Sequence, residues 1–295
     1  MDISTYQREA GKTDQVPGTD ERAMLVPLLG LAGEVGTLLS EYKKYLRDGR
    51  AHQRFKDQIA EDLGDLLWYV ANAATKFGLD LEDVARANIE KTRSRWPTDA
   101  DATKHKLFDD VFPAKEQIPR NFRVSFTEVL EGDSVRVIIA KDGEVIGDPL
   151  TDNAHDDDGY RFHDVFHLSY AAVLGWSPLV RKFLSVKRKS VPRIDEVEDG
   201  ARARIIEEMI SALVFTYARE HKFLDGVAGV DYHLLKTIQA LVADREVKIR
   251  SLAEWERAIL DGYAVWRSIR DNQGGEVDID LMTRRITFVD SNTTH

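Results

Sequence analysis

Apolar residues at helical spacing dominate the first hundred positions and leave that stretch one way to fold, as packed helices. Leu28, Leu31, Ala32, Val35, Leu38, Leu39 and Tyr42 recur three or four apart, as do Ile59, Leu63, Leu66, Leu67, Val70 and Ala73. A third helix is expected from Asp80 to Arg95, with Asp80 as its N-cap three residues before Asp83 and Pro97 as its stop. Acids interrupt the pattern: Glu34 and Glu41 in LLGLAGEVGTLLSEYKK, then Asp62 and Asp65 in IAEDLGDLLWYV. At about 100° per residue, Glu34, Thr37 and Glu41 follow one edge of the first apolar stripe. Asp62 falls inside the second stripe beside Leu66, Tyr69 and Ala73, with Asp65 at its border, while Glu61 points away. A carboxylate so placed raises its pKa, pairs with a cation or binds a metal. On the third helix Asn88, Lys91 and Arg95 share a face with Leu81 and Val84, and offer donors and positive charge to phosphate oxygens. Two readings stand: the acids pair with nearby Lys or Arg, or a divalent cation and a polyphosphate neutralise them.

Composition narrows the partners. The 295 residues are 43% hydrophobic and 31% charged, as in a soluble globular protein. A net charge of −10 argues against broad nucleic-acid binding, which needs a basic face. Nucleotides stay compatible with it, because a metal can carry the phosphate contacts. With no cysteine, disulfides and thiolate zinc sites are excluded, and His and carboxylate are the strong metal ligands left. The N-terminal MDISTYQREAGKTDQ lacks the apolar centre of a secretory signal. No apolar run is expected to approach the roughly 20 residues that span a bilayer. The expected setting is the cytoplasm, with no membrane partner.

Past the polar stretch at 97–110, which resembles a linker, the pattern changes period. NFRVSFTEVL, SVRVIIAKD and EVIGDPL alternate apolar and polar residues between EGD and DG turns, and predict a small antiparallel meander over about 121–150. Helices resume with RFHDVFHLSYAAVLGW, IDEVEDGARARIIEEMISALVFTYAREH, YHLLKTIQALVADREV and LAEWERAILDGYAVWRSI. RRITFVD reads as one more strand returning to the meander. The whole is mainly α: a helical bundle over residues 1–108, then a small antiparallel β-sheet and a second helical domain over 109–295.

The later helices echo the earlier ones. Aligning Glu207-Glu208 with Glu61-Asp62 puts Glu208 inside its apolar stripe, and suggests a diverged second copy of the helical unit. His163 and His167 lie one turn apart upstream, on the face carrying Tyr170 and Leu174, and with Glu208 they make a workable metal set. The competing reading is that these histidines are satisfied by Asp164, Asp195 or Glu196. The basic run LVRKFLSVKRKSVPR is either a solvated loop pairing with DEVED downstream or a lid that binds polyphosphate or an RNA end.

GLAGEVGTLLSEYKK followed by EDLGDLLWYVANAATKFGLDLEDVARANIEKTRSRWP resembles the MazG-type all-α nucleoside triphosphate pyrophosphohydrolases, whose signature is Glu-x-x-Glu, then Glu-x-x-Asp, then a Lys with a neighbouring Asn or Asp. TYQREAGKT is similar to the opening segment of that family, so the likeness covers about residues 5–97. The resemblance implies that Glu34 is the first glutamate, Asp65 the terminal aspartate, and Asp62 a shorter stand-in for the second helix's glutamate. Lys91 and Asn88 match the phosphate-side residues. Thr37 stands where the second glutamate belongs, and Glu41, one turn further on, is the candidate replacement. The implied reaction is hydrolysis of a ribo- or deoxyribonucleoside triphosphate, canonical or damaged, between the α- and β-phosphates. Mg²⁺, or Mn²⁺ in its place, would sit on Glu34, Asp62 and Asp65. Glu34 or Glu41 would serve the attacking water and Lys91 the leaving pyrophosphate. The family assembles its sites in helical bundles, often from two chains, so a homodimer or higher oligomer is expected. Trp68, Tyr69 and Trp96 are candidates to stack on a base, or packing residues. Two rivals remain: a nucleotide-binding sensor that has lost turnover at Thr37, and a His/Glu metallohydrolase centred on His163, His167 and Glu208.

Overall fold

The computed structural model describes residues 1–95, 107–132 and 134–289. The chain divides into two compact units, Met1–Arg93 and Ser94–His295. Trp96 and most of the expected linker lie outside the described residues.

The first unit is helical: α1 (Ile3–Gly11), α2 (Glu21–Asp48), α3 (Phe55–Lys76) and all but the last two residues of α4 (Leu81–Arg95). Side-chain caps start α1 and α2, Asp2 accepting from the Thr5 N–H and Asp20 from the Ala23 N–H. At the head of α4 the Asp80 carboxylate accepts from the Glu82 N–H, as its N-cap role requires. Gln7 ties α1 to the α3–α4 turn, donating to Leu79 O and accepting from Leu81 N. Lys76, buried at the end of α3, donates to Asp14 Oδ2 at 2.7 Å and to Val16 O, which fixes the loop before α2. Burial pushes the Asp14 carboxyl up, but the Lys76 ammonium and the Val16 N–H outweigh it and hold the carboxyl below its usual range.

Two contacts register α2 against α3. A methyl at Gly30 would fall 2.1 Å from the Tyr69 ring, so only glycine admits the tyrosine there. At the other end the Tyr45 and Phe55 rings stack with centroids 4.2 Å apart. The buried core of this unit is small, made of Ala10, Ala71, Ala74 and Leu81 with Ile3, Tyr6 and Trp68 packed on it. Much of the apolar pattern is left exposed, including Leu29 (62%), Leu39 (62%) and Leu46 (67%). The expectation about apolar runs is corrected here. Glu21–Ala51 is long and apolar enough to cross a bilayer by length and composition, with mean hydropathy 1.6 over its best 18 residues. Only Glu34 and scattered small residues interrupt MLVPLLGLAGEVGTLLS, so its stripe is wider than a strict helical periodicity suggests.

The second unit is built on a five-stranded antiparallel sheet in the order β3-β2-β1-β4-β5. Its strands are β1 (Asn121–Glu131), β2 (Ser134–Lys141), β3 (Glu144–Val145), β4 (Gly274–Asp280) and β5 (Arg285–Val289). The meander forms as its alternation predicts, but EVIGDPL pairs over Glu144–Val145, with the Ile146 N–H donating to Ile139 O, and then through a Val137–Leu150 bridge. Gly147, at φ 74°, turns the chain between those two pairings. The C-terminal strand does return to the sheet, through β4, which joins it to β1 and which the sequence reading did not contain.

Around the sheet lie α5 (Asp164–Leu174), α6 (Pro178–Phe183), α7 (Pro192–Val197), α8 (Ala201–Arg219), α9 (Tyr232–Leu241) and α10 (Leu252–Asp271). Every residue of α5 is buried, the polar Asp164, His167 and Ser169 together with its apolar side chains. The long helix expected from Ile194 breaks at Gly200, where a Cβ would meet Glu196 O at 2.0 Å. Ser251 and Glu254 form a capping box at the start of α10.

The basic run is solvated only in part: Lys182, Lys189 and Arg193 are exposed, while two of its arginines are buried. Arg188 is 1% exposed and donates to Asp199 and Glu246, while Arg181 is 2% exposed and donates to Asp109 Oδ2 at 2.8 Å. The pairing with the downstream acids does occur, at Lys187–Asp195 and Arg188–Asp199. Burial pushes the Asp109 carboxyl up, but Arg181, the Ile118 N–H and Arg120 prevail and hold it below its usual range. Its stabilisation is therefore complete at neutral pH and fades as pH falls through that lowered value. Asp109→Asn should cost about 3–5 kcal/mol, the penalty for a buried cation stripped of its partner, and urea unfolding at pH 7 measures it. That cost should shrink in titrations below the normal carboxylate range. In the first unit Gly30→Ala should cost about 1–3 kcal/mol by overpacking against Tyr69, read as a lowered thermal midpoint.

Candidate functional site

The register of α2 on α3 sets the levels of the acids. Counting from the Gly30–Tyr69 contact, each step up α2 is matched by a step back along α3, so Glu34 stands level with Asp65 and Thr37 with Asp62. Asp62 is buried, 2% exposed, and receives one weak hydrogen bond from Gln58 at 3.4 Å. Its Oδ2 has no hydrogen-bond partner among the described residues. Asp65 is exposed and Glu34 half-buried. Among the described residues neither is drawn into a salt bridge, in contrast to Glu41, which is buried, accepts from Lys44 at 2.7 Å and hydrogen-bonds His52. The Lys44 ammonium, with His52, holds the Glu41 carboxyl below its usual range against the opposing effect of burial. By the same register Glu41 is level with Gln58, about a turn beyond Asp62. Thr37 turns its hydroxyl back onto Gly33 O at 3.4 Å.

On α4, Asn88 and Lys91 are exposed. Arg95, the last residue of α4 and itself part of the second unit, donates to Val230 O at 3.2 Å and lies over the Tyr232 ring. Trp68 donates to Thr13 Oγ1 at 2.7 Å and Tyr69 covers Gly30, so both aromatics are committed to packing.

Among the described residues, one set of three potential ligands has donor atoms all within 4.8 Å of one another: His163, His167 and Glu208. His163 immediately precedes α5, His167 is one turn on, and Glu208 reaches in from α8. Both Nε2 atoms face Glu208 Oε2, at 3.7 Å from His163 and 3.5 Å from His167. Asp164 Oδ1 joins them at 3.7 and 3.9 Å. The far ring nitrogens are held: His163 Nδ1 bonds Tyr160 O at 2.9 Å, and His167 Nδ1 bonds Glu207 Oε1 at 3.0 Å. Tyr160 also stacks flat on His163, with ring centroids 4.2 Å apart.

The sequence reading put the wrong glutamate inside the α8 stripe. Ala203, Glu207, Ile210, Ser211 and Val214 are the buried face, and Glu207 has no exposure, whereas the Glu208 side chain is 44% exposed. Glu207 accepts from Ser177 Oγ at 2.6 Å and Leu179 N at 2.9 Å as well as from His167. Of the proposed partners for the histidines, Asp164 is adjacent, while Asp195 pairs with Lys187 and Glu196 with Arg193. Burial pushes His163 down and Asp164 up. Burial also pulls on His167, but Glu207 and Glu208 together overcome it and raise the ring to about 10. Burial opposes ionisation of Glu208 too, yet His167 and His163 hold its carboxyl below the usual range. Ligand spacing on α5 could have flagged Asp164, since it lies between two histidines one turn apart. Tyr160 O and Glu207 carry no such signal, because a backbone carbonyl and a buried carboxylate reach the rings only through tertiary packing.

Comparison with known proteins agrees with this division. Residues 26–99 match the MazG nucleotide pyrophosphohydrolase domain, and residues 103–292 match the MazG C-terminal domain. The Gene 37 protein of Mycobacterium phage L5 is 35% identical over 101 residues, 32% of this chain and 89% of that protein. No solved structure shows a significant match. The chain therefore belongs to the MazG family, with a MazG nucleotide pyrophosphohydrolase domain followed by a MazG C-terminal domain.

Proposed function

We propose that the first unit is a cytoplasmic, Mg²⁺-dependent nucleoside triphosphate pyrophosphohydrolase that releases a monophosphate and pyrophosphate, and that it serves to clear unwanted nucleotides from the pool. The observation that carries this reading is the Asp62 carboxylate, buried on α3 with Oδ2 unpartnered among the described residues and one weak bond to Oδ1. A buried anion left this way is costly unless a cation meets it. Glu34 and Asp65, level with one another, complete a set of hard oxygen donors that fits Mg²⁺, with Mn²⁺ as a substitute. Bound there, the ion supplies neutralisation of phosphate charge and a lowered pKa for an attacking water. Glu34 takes the proton of that water as its oxygen adds to the α-phosphorus and the bond to the bridging oxygen breaks. Lys91 meets the charge that develops on the departing pyrophosphate, and Asn88 donates to a phosphate oxygen. Arg95 is left out of this set, because its guanidinium is engaged by Val230 and Tyr232.

A homodimer or higher oligomer goes with the same reading. Leu25, Leu28, Leu29, Leu39 and Leu46 on α2, with Leu63 and Leu67 on α3, are all more than 40% exposed. A soluble chain rarely leaves so many large apolar side chains bare along two packed helices, and a second copy carries a matching helical face.

A second reading draws on Thr37 and Glu41. Thr37 has no carboxylate to offer at the level of Asp62, and Glu41 is already taken by Lys44 and His52. With one carboxylate fewer, the unit would bind nucleotide as a sensor without turning it over.

Incubation with Mg²⁺ and a panel of canonical and damaged triphosphates, with products resolved by phosphorus NMR and a chelator control, separates the two. Pyrophosphate and monophosphate are expected, with Asp65→Ala slower by about 100-fold or more, the size of a lost transition-state contact. Binding without pyrophosphate release, indifferent to Asp65→Ala, would establish the sensor instead. Sedimentation should show the wild type as a dimer or larger and Leu39→Asp shifted toward monomer; a monomeric wild type removes the oligomer from the scheme.

A further inference from the structure

We propose that His163, His167, Glu208 and Asp164 form a second metal centre, in the MazG C-terminal domain, for a divalent transition-metal ion of the zinc, manganese or iron(II) class. The Nε2 atoms of His163 and His167 and Oε2 of Glu208 all lie within 4.8 Å of one another, and Asp164 Oδ1 lies 3.7 and 3.9 Å from the two imidazoles. The imidazole–carboxylate separations of 3.5–3.9 Å are long for hydrogen bonds. They are close to the spacing of neighbouring ligands around one ion, about 3.3–3.6 Å for bonds of 2.0–2.2 Å. His167 Nε2 is wholly buried and has no hydrogen-bond partner among the described residues, on a helix whose every residue is buried.

The far side of each ring is arranged as metal-bound histidines require. A carbonyl oxygen only accepts, so Tyr160 O fixes the proton of His163 on Nδ1 and turns the Nε2 lone pair toward Glu208. Glu207 does the same for His167 while its remaining capacity is filled by Ser177 and Leu179. Carbonyl- and carboxylate-backed histidines are the usual outer shell of such centres, and they set both tautomer and ring angle. An ion pair between protonated histidines and the acids would need no such orientation of both rings.

The donor set names the class of ion. Two imidazoles with carboxylates suit borderline transition ions, whereas Mg²⁺ and Ca²⁺ take oxygen. The site is also accessible from one side. His163, His167 and Asp164 are buried, but the Glu208 side chain is 44% exposed, so a water or a small anionic ligand can complete the coordination. That is the mark of an open centre rather than a closed structural one.

Co²⁺ is the probe, because its visible absorption reports nitrogen and oxygen ligation. Full-length protein stripped with chelator should take up one Co²⁺ per chain with a visible band, and Zn²⁺ should displace it. Glu208→Gln, on the exposed side, and His163→Gln should each abolish the band while the metal-free melting temperature stays near wild type. Asp62→Asn, in the first unit, should keep it. Glu207→Gln should weaken binding about 10- to 100-fold, as loss of an outer-shell partner does. The inference is overturned by a wild type that gives no band, by a band that survives Glu208→Gln and His163→Gln, or by a band lost only in Asp62→Asn. Pyrophosphate release from the first unit has no part in this readout, so either assignment stands or falls without the other.

Discussion

Glu207 is a carboxylate with no contact with water, and the second unit is organised around it. It accepts from His167 on α5, from Ser177 and from the Leu179 N–H at the start of α6, while itself belonging to α8. A buried anion is tolerable only when hydrogen-bonded on all sides, so the three helices hold one relative geometry or the charge is stranded. The same geometry brings Glu208 to the two histidines. Arg181, Arg188, Asp109, Asp199 and Glu246 form a comparable buried network that ties the segments before β1 to those around α7. This domain is thus fastened by satisfied charge as well as by its apolar core.

The first unit is the opposite case. Its buried core is a handful of alanines and one leucine, and its large apolar residues face outward. Alanine and glycine at the α2–α3 contact let the helices approach closely, as Gly30 under Tyr69 does, but such a contact buries little surface. The exposed leucines and the unpartnered Asp62 Oδ2 are two aspects of one condition. The helical hairpin carries both an apolar surface and a carboxylate that its own side chains leave uncovered.

Much of this was legible in the sequence, because it depends on period. The helices from Glu21 to Arg95 and the β1–β2 hairpin appear where apolar spacing puts them. The errors have more than one source. β4, GGEVDID, opens with two glycines but then alternates polar and apolar residues over Glu276–Asp280, a short signal that was legible and that pairing with β1 completes. The α7–α8 break was hidden in a continuous helical pattern until Gly200 was seen against Glu196 O. The basic run reads as solvent-exposed by composition, yet acids distant in sequence, Asp109 and Glu246, draw Arg181 and Arg188 inside.

The sequence by itself determined the family, the helical class of the first unit, and the kinds of side chain that could bind a metal, since each follows from residue type and spacing along one chain. Tertiary structure alone decided which of those side chains meet. Glu34 and Asp65 share a level because a tyrosine sits on a glycine, and Glu41 is withdrawn by His52. Glu207 rather than Glu208 is buried because α8 rolls its Ala203–Ile210–Val214 face inward. Hydrogen bonds and ion contacts act over three or four ångströms, and proximity on that scale between distant residues is a property of packing, which no local pattern encodes.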